Sequence, residues 1–428
     1  MKTVNFLYGR TTFDLEVPDD TPVLTSNVDA LKSDKDGYEI VKEAMDHPID
    51  SPHLYELAKG KPDCTIIISD HTRPVPSQDI LPHMIRELRC GNPDIKITLL
   101  VATGFHRPTT VEELRGKLGD ALYEEFKDNI IVHDAHDPSK NIKIGNLPSG
   151  PDCIIDKVAY NASLLVAEGF IEAHFFAGFS GGRKSVLPGI CDAVTVMGNH
   201  CGEFIASPYA RTGILDKNPI HEDMVAAAEM AKLAFICNVV IDEDKKTVAA
   251  FAGNFKTAHR KGVDFLSGYC AVKPAPADIV ITTNGGYPLD QNLYQSPKAV
   301  ATAEACCKDG GVIIMCASCI DGMGGTHFEK LIVNGSVEEI DEYLSKIPPK
   351  ETIPEQWCAQ IYSRILKKHT VILVTTYLDH DLVRKANMIP ASSPDEALQK
   401  AYDLVGKDAS VVVIPDGVAV LAVKEGQA

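Results

Sequence analysis

The residues of this sequence able to do chemistry stand just after short apolar runs. "CTIIIS" (64–69) is followed by "DHTRPVPS", which supplies Asp70, His71, Thr72 and Arg73. "KITLLVA" (96–102) leads through "TGF" into His106 and Arg107, and "ASLLVAEGF" (162–170) leads into His174 and the Gly-rich "GFSGGRKS" with Lys184. Farther on, "DIVITT" (278–283) precedes Tyr294, Gln295 and Lys298. Histidine titrates near neutral pH and suits proton transfer. Arginine and lysine can neutralise a carboxylate or phosphate, and a lysine amine can also act as a nucleophile.

"GFSGGRKS" tests the reading that comes first to hand. A phosphate-binding loop of the G-x-x-x-x-G-K-[ST] type fits Gly178, Lys184 and Ser185, but the glycine needed before the lysine is Arg183. That glycine lets backbone N–H groups wrap a phosphate, and an arginine limits the backbone freedom this requires. Lys184 is therefore expected to be an anion ligand or a nucleophilic amine. His200, in "VMGNHCGEF", has only Cys201 as a local metal ligand, too few for a structural metal centre. The lone Trp357 reads as a packing residue, and His47, His53, His133, His136 and His369 sit in polar surroundings with no role. "CASC" (316–319) has redox spacing but no second pair and no flanking histidine.

Positioning such groups is the work of strands and helices in alternation. Further apolar runs, "AFICNVVI" (234–241), "GVIIMCA" (311–317), "TVILVTT" (370–376) and "SVVVIP" (410–415), extend the pattern. They predict an α/β protein of two domains, with largely parallel sheets flanked by helices and the active site in the cleft between them. A chain of 428 residues is long for one core. "SGYCAVKPAPAD" (267–278) marks the boundary, giving a cofactor-binding domain at 1–268 and a second α/β domain at 269–428. The last strand, about 409–423, is left free to return to the first domain. A formal charge of -17 and a pI of about 5.3 argue against nucleic acid or an anionic membrane as partner. There is no long apolar span and no signal-peptide pattern, and the 12 cysteines read as free thiols. A cytoplasmic protein is expected.

Taken together, "SDHTRPVPS", "VATGFHRP", "EGFIEAHFFAGFSGGRKSVLPGI", "GNHCGEF" and "NGGYPLDQNLYQSPKA" resemble the nickel-dependent lactate racemase family, from "DHPIDSPHLYELAKGK" to "VVVIPDG". The resemblance implies a nickel pincer nucleotide: a pyridinium mononucleotide with two thiocarboxyl-derived arms, one joined to Lys184 as a thioamide, supplied by cofactor-biosynthesis proteins. His200 matches the protein ligand of nickel, and Asp70, His71, Thr72 and Arg73 match the loop that holds the cofactor. Tyr294, Gln295, Lys298, Trp357 and Arg73 match substrate-binding positions, and His106 and His174 match the two catalytic bases.

The chemistry asks for such a set. The α-hydrogen of lactate is weakly acidic beside a carboxylate, and hydride transfer to a pyridinium carbon avoids the carbanion by way of bound pyruvate. One histidine would serve each enantiomer, while Arg73 and Lys298 hold the carboxylate. "HFFAGF" and Trp357 predict a compact apolar pocket suited to lactate. Three alternatives stand beside this: a racemase or epimerase of another 2-hydroxy acid, a nucleotide-dependent kinase or ATPase using "GFSGGRKS", and a non-enzymatic nucleotide or metal sensor.

Overall fold

Two sheets, one from each half of the chain, gather the apolar runs in a computed structural model that describes residues 1–422 except 28, 29, 32 and 243. The first sheet has six strands in the spatial order Thr247–Gly253, Leu233–Ile241, Leu165–Phe170, Asp63–Ser69, Lys96–Ala102, Ile130–Val132. All neighbours are parallel except the edge strand Thr247–Gly253, which runs antiparallel to Leu233–Ile241. The second sheet is wholly parallel, in the order Ile389–Ala391, Thr370–Val374, Cys307–Cys316, Ala277–Thr283, Val411–Ile414.

A central parallel strand is covered on both faces and so reads as a continuous apolar run. Ile66, Ile67 and Ile68 are all essentially inaccessible, Ile67 packing to one side of the sheet and Ile66 and Ile68 to the other. Register then fixes where the polar residues emerge. Ser69 lies opposite Ala102, so Asp70 and the turn before His106 leave the sheet at one level. Helix Val111–Phe126, which backs this edge, starts on a capping box in which Thr110 accepts from Glu113 N–H and Glu113 accepts from Thr110 N–H.

Three edge strands carry no clear signal in the sequence: Ile130–Val132, Thr247–Gly253 and Ile389–Ala391. The last segment, left free to return to the first domain, divides: its end, Leu421–Ala422, pairs with Ala271–Val272, and Leu421 packs with first-half residues such as Ile171, Phe179 and Val240. Val411–Ile414 pairs with Ala277–Thr283 inside the second sheet, because its valines fill the core there with Ile279 and Ile281. Residue 423, the end of that expected strand, lies outside the described residues. The opening hairpin, Lys2–Tyr8 with Thr11–Val17, also packs on the second sheet, burying Val4, Phe6, Leu15 and Val17 against it. Its tip is fixed where Gly9 N–H donates to Asp290 at 2.6 Å.

The halves share their largest apolar cluster, in which Phe176, Val186 and Ile190 pack with residues such as Leu293, Trp357 and Tyr362. Beside it Gln360 Nε2 donates to the Gly202 carbonyl at 2.6 Å, joining helix Gln356–Leu366 to the segment that follows His200. Among the described residues no helix is long and apolar enough to cross a membrane.

Candidate active site

Asp70, immediately after strand Asp63–Ser69, is almost fully buried and organises the first wall. Its Oδ1 accepts from Thr72 N–H at 3.1 Å and Thr72 Oγ1 at 2.7 Å, a side-chain-capped turn. Its Oδ2 accepts from His106 Nδ1 at 2.7 Å. Burial alone would push this carboxyl up, but the bonds from His106 and Thr72 and the nearby charge of Arg73 hold it below the usual range. With Nδ1–H given to Asp70, the Nε2 of His106 is left as an acceptor at the cleft edge, where the ring is 42% exposed. His71 turns the other way, its Nδ1 3.0 Å from Thr109 Oγ1.

Two charged side chains that sequence reasoning missed, one buried and one half-buried, hold this turn from beneath. Glu168, in strand Leu165–Phe170, accepts from Ser69 N–H at 3.3 Å and Ser77 Oγ at 2.7 Å, and burial raises its pKa. Lys117 donates to the Arg73 carbonyl at 3.1 Å, and burial lowers its pKa. A glutamate inside "LLVAEGF" was the available signal, since an acid in a doubly covered strand needs a partner. Nothing local marked Lys117.

The second wall is the loop after Leu165–Phe170. Ala173–His174 pairs with Gly178–Phe179, and the turn Gly182–Ser185 presents Lys184. Glycine is required at 181 and 182, where φ is +80° and +54°; a Cβ there would strike Phe170 O and the ring of His259 at 2.8 Å. The Gly182 N–H is already taken by Asn238 Oδ1 at 2.7 Å. These glycines serve close packing, and the loop is no phosphate cradle.

From this wall a chain of rings crosses to the second half. His174 contacts Phe176 at 4.5 Å between centroids, Phe176 contacts His200 at 5.1 Å, and His200 contacts Trp357 at 5.2 Å. Trp357 Nε1 then donates to Tyr294 Oη at 3.0 Å. Lys184 Nζ lies 5.9 Å from the Phe176 centroid. Lys298 stands in the first turn of helix Pro297–Cys306, with Tyr294 and Gln295 on the 3₁₀ turn just before it.

The electrostatics of this wall are one-sided. Burial, then the charges of Lys184, Lys298 and Arg73, put the His174 pKa well below its ordinary value. Lys184 is lowered too, by burial and then by Arg183 and Arg73. Lys298 is likewise lowered by burial, with Glu172 opposing. Glu172 was not singled out from the sequence, although it is the acid that faces both lysines. His200 is lowered by burial to about 3, and its Nδ1 is buried without a partner.

The structure thus brings His174, Lys184, His200, Tyr294, Lys298 and Trp357 to one cleft, with Arg73 close enough for its charge to reach them. His106 joins through the Asp70–Arg73 turn. The side chain of His71 belongs to the outer side of that turn. Of the histidines given no role, His133 is in fact buried, holding Asp156 at 2.9 Å and the Cys191 carbonyl at 3.0 Å, and His369 is buried as well. Both partners of His133 are remote in sequence, which is why its neighbourhood reads as polar.

Comparison with known proteins agrees on one family. The family model for the lactate racemase N-terminal domain matches residues 8–213, and that for the lactate racemase C-terminal domain matches residues 272–422. The chain belongs to the lactate racemase family. It is 50% identical over 426 residues to a lactate racemase of Lactiplantibacillus plantarum, covering 98% of this chain and 100% of that one. Against a lactate racemase of Thermoanaerobacterium thermosaccharolyticum it is 48% identical over 426 residues, covering 98% and 99%. The structure of the apoprotein from that organism superposes with a TM-score of 0.95, 47% identity, and coverage of 99% and 100%. A Thermotoga maritima protein with a TM-score of 0.66 and 19% identity, covering 90% of this chain and 99% of that one, shares the fold alone.

Proposed function

We propose that this protein is an isomerase that interconverts L- and D-lactate with a nickel pincer nucleotide tethered at Lys184. The observation that carries the reading is the wall on which His200 presents a buried, unpartnered Nδ1 between the rings of Phe176 and Trp357, with Lys184 over the same Phe176. The residues fit such a group. Among the described residues no three His, Cys, Asp or Glu side chains form a metal centre of their own. A single imidazole beside sulfur donors brought by a cofactor suits square-planar Ni(II). Cys201, next to His200, is buried, and burial raises its thiol pKa, so it stays protonated.

When bound, the pyridinium ring supplies an acceptor for the hydride of lactate. The chain's own residues do the rest. Arg73 and Lys298 draw the carboxylate into a protein whose net charge is -17. Phe176, Trp357 and Tyr294 leave an apolar place for the methyl group. His106 or His174 takes the hydroxyl proton from one hand of lactate, and the other histidine serves the opposite hand. Closing the cleft between the halves keeps pyruvate from escaping and water from entering. A cytoplasmic location, where free thiols such as the chain's 12 unpaired cysteines persist, and dependence on cofactor-biosynthesis proteins belong to the same reading.

The test is intact mass and nickel content of protein made with and without those biosynthesis proteins, followed by racemisation assays on lactate and malate. A mass increase mapped to Lys184, nickel in equal amount to protein and turnover of lactate support the proposal. Lys184→Ala should lose the adduct and lower kcat/KM by more than about 10⁴-fold, as expected when a covalent attachment is removed. Full activity of that variant sinks the tethering assignment.

A further inference from the structure

Arg183, the chain neighbour of Lys184, has no part in the proposed chemistry. It breaks the phosphate-loop pattern, it touches no expected ligand, and it is among the largest fully buried side chains. A buried guanidinium normally sits against a carboxylate. This one forms no ion pair among the described residues and is spent on its own loop. Nη2 donates to the Ala177 carbonyl at 2.8 Å, and Nη1 donates to Phe179 O at 2.7 Å and Gly181 O at 3.2 Å. Nε donates to His221 Nδ1 at 2.9 Å. His259, whose Nε2 donates to Ser180 O at 2.8 Å, takes the carbonyl between Phe179 and Gly181, and that ring nitrogen lies 3.3 Å from Arg183 Nη1.

The segment so held is the one between His174 and Lys184. Its backbone is left-handed at Gly178, Gly181 and Gly182, and the carbonyls of Ala177 and Gly181 accept short-turn backbone bonds, from Phe179 N–H and Lys184 N–H, to which the guanidinium adds a second donor each. A planar fork with five N–H groups can meet several of them at once, which lysine cannot do. The absence of a carboxylate costs the site something: burial lowers Arg183 to about 9, and the two histidines beside it are held neutral, His221 down to about 3. A protein that keeps so costly a cation uses its geometry.

We infer that Arg183 is a positioning residue that sets the backbone between His174 and Lys184, aiming both side chains into the cleft through the carbonyls of Ala177, Phe179 and Gly181. The inference rests on the functional reading given above for those two side chains. Its first test needs no turnover and so stands or falls separately from that reading.

Hydrogen exchange of the cofactor-free chain is compared for wild type, Arg183→Met and Arg183→Lys. Peptides covering 174–187 should exchange about 10-fold faster or more in both variants, while those from strands Asp63–Ser69 and Cys307–Cys316 keep their rates. In loaded enzyme, kcat should fall about 100-fold with KM for lactate within about 3-fold, because the carboxylate clamp lies outside this loop. Unchanged local exchange, uniformly faster exchange across both sheets, or wild-type behaviour of Arg183→Lys would each overturn the inference. Should neither Arg183 variant fold, His221→Ala removes only the acceptor of Nε. Faster exchange confined to 174–187 then supports the role, and its absence refutes it.

Discussion

The two histidines that flank the cleft live in opposite surroundings. His106 is half-exposed and anchored to a buried carboxylate, so its proton is held at Nδ1 and its Nε2 is ready to accept. His174 faces Lys184, Lys298 and Arg73 with no acid of its own, and at its Nδ1 it accepts a long 3.3 Å bond from Ala177 N–H. Its neutral ring therefore carries the proton at Nε2. To take a proton there, His174 must first move its own to Nδ1, and the weak Ala177 contact is what has to give way. If both histidines act as bases, as proposed, the two hands of the substrate meet unequal parts: one ring set by a partner, the other by burial among cations.

That contrast can be broken most directly by removing each ring. His106→Gln and His174→Gln should each lower kcat/KM for lactate by about 10²–10⁴-fold, the usual worth of a positioned acid–base group, measured from both enantiomers. Loss in one variant only would mean that a single base serves both hands.

A smaller effect sharpens the His106 side. Asp70→Asn keeps the shape but no longer fixes the ring proton, so activity should drop by about 10–100-fold, typical of an orienting partner. Combined with His106→Gln it should add little, since both changes act through one ring. Full additivity in that double-mutant cycle would separate Asp70 from His106.

Acid sensitivity distinguishes the walls without any assay of turnover. A histidine in the unfolded chain titrates near 6.5, whereas folded His221 does so at about 3, and His259 is also lowered. Between these values the unfolded chain binds more protons, so falling pH favours unfolding, by roughly 2 kcal/mol at pH 5 for His221 alone. Asp70, lowered in the fold, contributes stability that is lost only as pH falls from the carboxylate range through its lowered value. Urea midpoints should therefore fall between pH 7 and pH 5, and His221→Gln should flatten that dependence while Asp70→Asn leaves it in place.

Much of this architecture was legible because doubly covered parallel strands announce themselves. "CTIIIS" and "KITLLVA" became Asp63–Ser69 and Lys96–Ala102 with ends shifted by at most one residue. The three-residue strands Ile130–Val132 and Ile389–Ala391 offer too short a pattern, and Thr247–Gly253, "TVAAFAG", is an edge whose side chains are largely half-buried. Within the cleft, residue types and spacing singled out His174, Lys184, His200 and Trp357 before the structure placed them side by side. What held those side chains was hidden. Glu168 and Lys117 meet the Asp70 turn from elements that lie far along the chain, and Arg183 reads as damage to a phosphate loop until its guanidinium is seen folded back on Ala177, Phe179 and Gly181.

The opening hairpin has a consequence for how the chain is made. Phe6 and Leu15 pack with Ile279, Ile281 and Ile314, which leave the ribosome some 270 residues after them. At about 5–20 residues per second that is a wait of roughly 14–54 s. Throughout it, an apolar two-stranded ribbon too small to be stable alone stays uncovered while the strands of the first sheet, the last of them Thr247–Gly253, are being made. The nascent chain thus presents an uncovered apolar ribbon until its second half arrives, and chaperone occupancy of arrested ribosome-bound chains should drop only once the strand Cys307–Cys316 has cleared the exit tunnel.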